Sequence, residues 1–296
     1  MTTVQNWIDQ TRSYLMSGYV ENRNQLASAY TAGSGTLTFA QPTDGIRAGT
    51  RLSIGTNTFY VWSISGLTAS VLAGEEGSTD ANAAIGTLVR VAPRFTGNDI
   101  LNQLGNEIND LSSPTNGLYG IQTYDFTYNP ILTGYDLSPI ADQLISIYEV
   151  KYLTPGPAHD NPRISNTKWR LNRNADTAQF PSGISLQLFS PGYAGFGVRV
   201  VYKANLTMPT TTYANVASTG LQSTAFDIPP LGAAIRLMEG REIKRDFTEA
   251  QGDTRRGSEV PAGAIMQSSN GLQQLRARRI AAEAAKLEAL YPSYRS

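Results

Sequence analysis

The stretch from Arg51 to Leu72, RLSIGTNTFYVWSISGLTASVL, indicates that much of this chain forms short β-strands. Short runs of β-branched and aromatic residues alternate there with polar ones, and the turn signal Gly55-Thr56-Asn57 separates two of the runs. The same texture extends to both sides and predicts strands at residues 36–39, 51–54, 58–64, 67–72 and 86–91. Five short strands within about sixty residues predict a small β-barrel over residues 33–95.

Helices are expected outside this β region. Apolar residues three and four positions apart predict helices over residues 3–17, 98–112 and 229–290, the last with a break across residues 252–263. The expected N-caps are Thr2, with Gln5 completing a capping box, then Thr96 or Asn98, and finally Asp227.

A second β region follows the central helix. Longer runs alternate apolar and polar residues at 122–128, 143–153, 166–173, 183–190 and 196–205, and loops containing Pro and Gly separate them. Strands of this length, with one face for a core and one for solvent, predict an antiparallel β-sandwich.

Together these elements predict an α+β fold. Its helical core is made of the N-terminal, central and C-terminal helices and carries a small β-barrel insertion and an antiparallel β-sandwich. The expected domains are a helical core from residues 1–32 and 96–119, the barrel insertion at 33–95, the sandwich at 120–207, and C-terminal helices with a docking arm at 208–296.

Composition excludes several classes of function. The 24 basic and 24 acidic side chains cancel, and only 16% of the residues are charged, which argues against a whole-protein coat on nucleic acid or membrane. The lack of cysteine excludes disulfides, thiolate nucleophiles and cysteine-ligated zinc. The sequence has no run of about 18 apolar residues and no secretory signal pattern, so we expect no membrane partner and no secretion.

Candidate catalytic groups are few and scattered. His159, the single histidine, lies beside Asp160 on a Pro-rich loop without an obvious converging nucleophile, so we interpret it as a solvated loop residue. Glu75, Glu76 and Asp80 cluster in one connection but lack the ligand spacing of a calcium loop. We therefore expect no catalytic residue, no cofactor, no metal site and no enzymatic activity.

Two alternatives stay open for the sandwich region. A glycoside hydrolase would need two facing carboxylates, whose separation is a tertiary property, although isolated surface acids are common. The candidate carboxylates are Asp125, Asp136, Asp142 and Glu149. The 15 tyrosines could form a sugar-binding platform, or they could simply pack along the strands.

The C-terminal tail carries the clearest interaction signal. Three arginines concentrate positive charge on an alanine-rich helix that needs a partner to supply packing. The charged face could pair with acids of its own helix, such as Glu283, or it could meet a partner. In the second interpretation the docking arm contains Arg276, Arg278, Arg279, Leu287, Leu290, Tyr291 and Tyr294.

Two segments resemble the neck adaptor proteins of tailed bacteriophages. The first is GAAIRLMEGRE at residues 232–242, followed by Arg255-Arg256, by VPAG at 260–263 and by the tail at 275–292. The second is GSTDANAAIGTLVRVAPRFT at residues 77–96, followed by the central helix. The resemblance lies in the order of these elements and covers about half of the chain, without a catalytic motif.

This resemblance implies a head-to-tail connector of the virion, located in the neck and assembled in the host cytoplasm. Members form a ring, commonly of twelve copies, that docks on the portal protein, extends the DNA channel and receives tail or nozzle proteins. Phage DNA would pass through without sequence-specific binding, and the C-terminal arm would face the portal. The alternative is a tail-tip or stopper component whose β-sandwich binds carbohydrate.

Overall fold

The computed structural model describes residues 2–16, 21–153, 168–189, 192, 194–249 and 264–291. The chain divides into two compact units. The first unit comprises Met1–Ile108, Met208–Val216 and Phe226–Arg279, and the second unit comprises Asn109–Thr207, Ala217–Ala225 and Ile280–Ser296.

The described residues form twelve strands and four α-helices. The helices are α1 (Val4–Leu15), α2 (Gly97–Leu111), α3 (Ile228–Glu249) and α4 (Ala264–Leu290). The strands are β1 (Asn22–Gln25), β2 (Thr36–Thr38), β3 (Arg51–Ile54), β4 (Asn57–Ser65), β5 (Thr68–Ala73), β6 (Leu88–Val91), β7 (Gly120–Thr127), β8 (Tyr135–Asp136), β9 (Leu144–Leu153), β10 (Trp169–Asn172), β11 (Ser185–Leu188) and β12 (Gly197–Ala204).

The first unit contains a curled half-barrel sheet with the strand order β1-β6-β3-β4-β5-β2. Its two edge strands approach each other. Leu26, directly after β1, forms an isolated β-bridge with Phe39, and the N–H of Ala27 donates to the carbonyl oxygen of Thr38 at 2.8 Å. The five strands predicted for this region are confirmed. The additional strand β1, with the sequence NRNQ, lacks the apolar alternation that would have revealed it.

Curling of this sheet encloses an apolar core. Leu37, Phe39, Leu52, Phe59 and Val89 are each at most 1% exposed and belong to one cluster. Tyr30 packs its ring edge-on against Phe59, with the ring centroids 5.2 Å apart. The core therefore comes from the inward residues of strands rather than from helices.

The second unit contains two three-stranded sheets, β7-β12-β9 and β10-β11-β8, which contribute to one apolar cluster. In the register of the first sheet, Val200 of β12 lies opposite Tyr124 of β7 and Val150 of β9. The predicted strands of this region are found, β7 beginning two residues earlier than expected and the other four with shorter bounds, and β8 is an additional strand of two residues.

The predicted helical core is wrong, because the molecule is mostly β and its helices do not form the core. The period-two alternation of the strands puts apolar residues on the inner faces of sheets, which bury them together. By contrast, the covered side of α4 mixes Ile280 and Leu287 with charged residues such as Arg276, so it is not a continuous apolar stripe. A mixed α+β description fits the chain only loosely.

Helix starts follow local capping chemistry. Thr3 caps α1, since its N–H donates to the Asn6 side chain at 2.8 Å and its hydroxyl accepts from the Asn6 N–H. The capping box expected at Thr2 and Gln5 is therefore displaced by one residue. Thr96 caps α2 as expected, because Thr96 and Asp99 exchange reciprocal hydrogen bonds of 3.0 Å.

Packing against α3 holds α1 in the first unit. The Trp7 ring lies edge-on to Phe226 with centroids 6.0 Å apart, and the Thr11 hydroxyl is 3.4 Å from the Pro230 carbonyl oxygen. Among the helices the structure describes, none has the length and apolar content that a membrane crossing requires.

Candidate functional site

One side of α4 is covered and the other is exposed, and the two sides differ in chemistry. The buried and half-buried positions are three or four residues apart, as expected for one face of a helix. From Ser269 onward they are Ser269, Leu272, Arg276, Arg279, Ile280, Glu283, Ala284 and Leu287, with Tyr291 directly after the helix.

A buried carboxylate holds the N-terminal half of α4 in the first unit. Glu107 of α2 is fully buried, and its carboxylate accepts hydrogen bonds from Nε of Arg236 at 3.1 Å and from Nε of Arg276 at 2.6 Å. Gly232 of α3 makes room for this group, because an added Cβ would lie 2.1 Å from the Glu107 Cδ. Glu107 therefore connects three helices through charge-assisted hydrogen bonds.

Sequence reasoning missed Glu107, although a signal was present. Glu107 lies three residues after Leu104 and four before Leu111, so it occupies the apolar stripe of α2. A carboxylate at such a position is expected to have a cationic partner, because an unpaired buried charge is strongly destabilising.

A second ion pair of the first unit joins α4 to the residue before α3. Nε and Nη2 of Arg279 donate to the two oxygens of Asp227 at 2.8 and 2.9 Å, a bidentate arrangement. This hydrogen bonding holds the pKa of Asp227 below its ordinary value, although burial alone would raise it. The sequence predicted that Asp227 caps α3, and in the structure its carboxylate binds Arg279 of α4.

The C-terminal part of α4 belongs to the second unit and is held differently. Thr224 donates to Glu283 at 2.6 Å and accepts from Lys286 at 2.9 Å. Leu287 is 3% exposed, and the Tyr291 ring packs edge-on against Tyr148 with centroids 5.6 Å apart. This part of α4 is therefore held by the Thr224 hydroxyl, by the buried Leu287 and by the Tyr291 ring, whereas the part in the first unit is held by ion pairs.

The residues predicted for the docking arm do not share one environment. Arg276 and Arg279 bind carboxylates of the same chain, Leu287 is buried and Tyr291 is half-buried, whereas Arg278 and Leu290 are exposed. Tyr294 lies outside the described residues. Leu275, which the prediction did not include, is 49% exposed. We call Leu275 and Arg278, with the exposed Ala277 between them, the outer face of α4.

A second exposed apolar area lies on the half-barrel. The pairing of β4 with β5 skips from Val61 to Ser63, so Trp62 lies in a bulge of the ladder and is 73% exposed. Leu72 of β5 is 50% exposed. Tryptophan is enriched among the residues that dominate binding energy at interfaces, so an exposed tryptophan on the same sheet as an exposed leucine is a candidate contact surface. We call Trp62 and Leu72 the Trp62 face.

The carboxylates considered for glycoside hydrolysis have separate partners. Asp125 forms a bidentate pair with Arg199 at 2.9 and 2.8 Å, Glu149 lies 2.6 Å from Lys151, and Asp142 is exposed. These contacts do not join any two of the candidate acids.

Asp136 is held by hydroxyl groups. Burial alone would raise its pKa, but hydrogen bonds from Ser138 and Ser182 outweigh that effect and hold the pKa below its ordinary value. A general acid of a glycosidase needs a raised pKa, so the direction of this shift is the opposite of what that role requires.

The acids in the connection after β5 stabilise turns. Asp80 accepts hydrogen bonds from the hydroxyl of Tyr30 at 3.0 Å, from the side chain of Asn57 at 3.1 Å and from the N–H of Gly33 at 2.7 Å. Glu76 pairs with Arg51 at 2.9 Å. Within the part of the chain that the structure describes, no group of three or more His, Cys, Asp and Glu side chains could hold a metal ion.

Several tyrosines of the sandwich that the structure describes pack against other aromatic rings. Tyr128 lies edge-on to Tyr152 with centroids 5.4 Å apart, and Phe126 lies 4.5 Å from Tyr135. Burial raises the pKa of Tyr152 to about 12. These rings therefore pack at the margin of the core, while Phe189 is the exposed aromatic residue after β11, at 61%.

Several residues considered from the sequence lie outside the described residues. These are His159, Arg255 and Arg256. No protein-family model matches the chain, no curated protein matches it, and no solved structure is similar to it. Any function must therefore be inferred from the residues of this chain and their geometry.

Proposed function

We propose that the chain is a ring-forming structural subunit of the head-to-tail connector of a tailed bacteriophage. It acts mechanically rather than as an enzyme, docks on the portal protein and connects it to the tail. The sequence resemblance of residues 77–96 and of the C-terminal segments supports this proposal. In this role phage DNA passes through the ring without base-specific contacts.

The observation that carries the proposal is the outer face of α4. In the first unit the covered side of this helix is anchored through Glu107 and Asp227, so this part of the helix needs no partner to hold its position. Its other side still exposes Leu275, which is 49% accessible, beside the cationic Arg278. A positioned helix with apolar and cationic residues suits docking into a groove of a partner with acidic groups.

The Trp62 face supplies the second surface that a ring requires. Head-to-tail contacts around a closed ring use two different surfaces on each subunit, unlike the self-complementary surface of a two-fold dimer. Trp62 and Leu72 present apolar area on the half-barrel, and tryptophan is enriched among residues that dominate binding energy.

The proposal is tested by replacing Leu275 with Ser and Arg278 with Glu in one variant. We expect the variant to fold but to bind portal-bearing capsids at least tenfold more weakly, measured by co-sedimentation and by imaging of completed necks. Leu67→Ser is the matched control, because Leu67 is 47% exposed and lies in a turn of the half-barrel. Normal neck completion by the α4 variant would refute docking through this face.

Ring formation has a separate test. Native mass spectrometry and electron microscopy of the purified protein, alone and with portal, should show a closed ring, and twelve copies are expected. Trp62→Ser should reduce the ring population at a given concentration without lowering the thermal stability of the monomer. If no ring forms with portal present, the connector proposal fails.

The alternative, a tail-tip or stopper component with a carbohydrate-binding sandwich, would use exposed aromatic rings of the second unit. Phe189 is the ring to replace, because it is 61% exposed. Saturable binding of host glycans that is lost in Phe189→Ala would favour this alternative. Under the connector proposal neither the unmodified protein nor Phe189→Ala binds glycan measurably.

A further inference from the structure

A cavity of about 330 Å³ lies in the first unit beside the end of α1, and Arg12 lines it together with Asp9, Glu21, Arg23 and Arg90. Arg12 is only 8% exposed, and its Nε and Nη2 atoms have no hydrogen-bond partner among the described residues. Buried guanidinium donors without an acceptor are destabilising, so two such atoms on one side chain need an explanation.

The two unpartnered atoms form one edge of the guanidinium group. Nε and Nη2 point their hydrogens in parallel and fit the two oxygens of a carboxylate or phosphate group. This chain uses the same edge twice: Arg199 holds Asp125 through Nε and Nη2, and Arg279 holds Asp227 through the same pair of atoms. The ion pair of Arg12 with Asp9 instead uses Nη1, which lies 3.6 Å from the Asp9 carboxylate.

The charges around the cavity also favour an anion. Three arginines face two acids, and Glu21 is engaged by Arg90 in an ion pair whose two side chains are only 14% and 5% exposed. Burial, and next the repulsion from Arg90, lower the pKa of Arg12 to about 10, so the group stays charged at neutral pH. A bound anion would balance the excess charge and satisfy the two donors.

We propose that this cavity binds a single oxyanion group, a phosphate or a carboxylate, on the Nε and Nη2 edge of Arg12. Arg23 and Arg90 raise the local positive potential, while Asp9 and Glu21 limit the charge that the site accepts. The inference does not depend on the proposed connector function, because it rests on contacts within the first unit alone.

Thermal unfolding in titrations with inorganic phosphate, with acetate and with chloride at equal ionic strength tests the proposal. We expect a saturable rise of Tm with phosphate or acetate but not with chloride. Arg12→Lys keeps the charge and loses the two-donor edge, so its Tm should no longer rise saturably. Arg199→Lys, which removes an already paired edge in the second unit, should respond like the unmodified protein.

A response to phosphate alone would identify a phosphate site, and a response to acetate alone would identify a carboxylate site. Equal responses of the unmodified protein and Arg12→Lys, or no saturable response to either anion, would overturn the proposal.

Nuclear magnetic resonance of the unmodified protein gives a result even if Arg12→Lys does not fold. The Nε–H resonance of Arg12, assigned through its side chain to the backbone, should shift saturably with phosphate or acetate. The corresponding resonance of Arg279 should not move, because Asp227 already binds that edge. An Arg12 resonance that stays in place during both titrations contradicts the inference.

Discussion

The half-barrel of the first unit and the sandwich of the second unit are both antiparallel, yet they bury their residues to different degrees. In the half-barrel the edge strands approach each other, and Phe39 and Phe59 are fully buried. In the sandwich each sheet has only three strands, and Tyr124 and Phe126 are only partly buried against the core. Curling one sheet on itself therefore encloses side chains more completely than stacking two narrow sheets.

The two units also treat charge differently. The first unit buries Glu107 completely and surrounds it with two arginines, whereas the second unit keeps the Asp125–Arg199 pair at its surface, with side chains 46% and 40% exposed. Buried pairs depend on complete partners, while surface pairs are screened by water and salt. The first unit should consequently be the more sensitive to single substitutions.

The largest expected difference concerns matched phenylalanines. Phe59→Ala should lower the free energy of unfolding by about 3–5 kcal/mol, because it leaves a cavity in a closed core. Phe126→Ala should lower it by about 1–2 kcal/mol, because that ring is partly exposed already. Denaturant titration of both variants measures the difference, and equal losses would break the comparison between the two cores.

Removal of a buried charge should have the next largest effect. Glu107→Gln leaves Arg236 and Arg276 without their carboxylate, so we expect a loss of about 2–4 kcal/mol in the free energy of unfolding. Asp125→Asn removes a surface carboxylate and should lower the free energy by less than about 1 kcal/mol. A loss for Glu107→Gln as small as that for Asp125→Asn would show that the buried cluster contributes little.

Replacing either of two helical glycines with alanine should change the stability in opposite directions, and this difference tests the role of Glu107. Gly232→Ala places a Cβ 2.1 Å from the Glu107 Cδ and should destabilise the protein by about 1–2 kcal/mol. Gly271→Ala lies within α4, meets nothing within 4 Å, and should stabilise by up to about 1 kcal/mol through helix propensity. Thermal unfolding of the two variants measures both effects. If Gly232→Ala stabilised the protein, the Glu107 carboxylate would have to move away from the added Cβ at little cost.

The smallest effects concern pH. The pKa values of Asp227 in the first unit and Asp136 in the second unit are both lowered by folding. Each therefore stabilises the fold above the ordinary value of 3.8, and that stabilisation is lost as the pH falls below 3.8 through the lowered folded value. Asp227→Asn and Asp136→Asn should each flatten the loss of stability on acidification.

Added salt should change the stability contributions of Asp227 and Asp136 to different degrees. Asp227 depends on the charge of Arg279, so added NaCl should reduce the stability difference between the unmodified protein and Asp227→Asn, a difference of about 1 kcal/mol or less. Asp136 is held by serine hydroxyls, and its contribution should change little with salt. Thermal unfolding from pH 2 to 6 at two salt concentrations provides the measurement. Identical salt dependence would contradict these assigned causes.

Much of the secondary structure was predictable, because strands and helices follow local periodicity. The alternation at residues 58–64 and 196–205 predicted β4 and β12, and the apolar repeat through Leu104 predicted α2. Strands β1 and β8 were missed for a physical reason. In β1 only Asn24 is buried, and β8 has two residues, so neither contains an apolar pattern.

The candidate site was less predictable, because its contacts join residues far apart in the chain. The sequence singled out Arg276, Arg278 and Arg279 together, but only the fold brings Glu107 to the first and Asp227 to the third. The sequence also indicated a helix at residues 271–290 but did not show which of its leucines are covered. In the structure Leu287 is buried, whereas Leu290 is exposed. The function of that helix remains a proposal that the docking experiment tests.

By itself the sequence determined the positions of most strands and helices, because side-chain periodicity and capping act within a few residues. Only the tertiary structure decided that strands rather than helices form the main cores, that Glu107 is a buried anchor, and that the Nε and Nη2 edge of Arg12 has no partner among the described residues. Burial and charge pairing depend on which distant residues the folded chain brings together, and local periodicity carries no information about those partners.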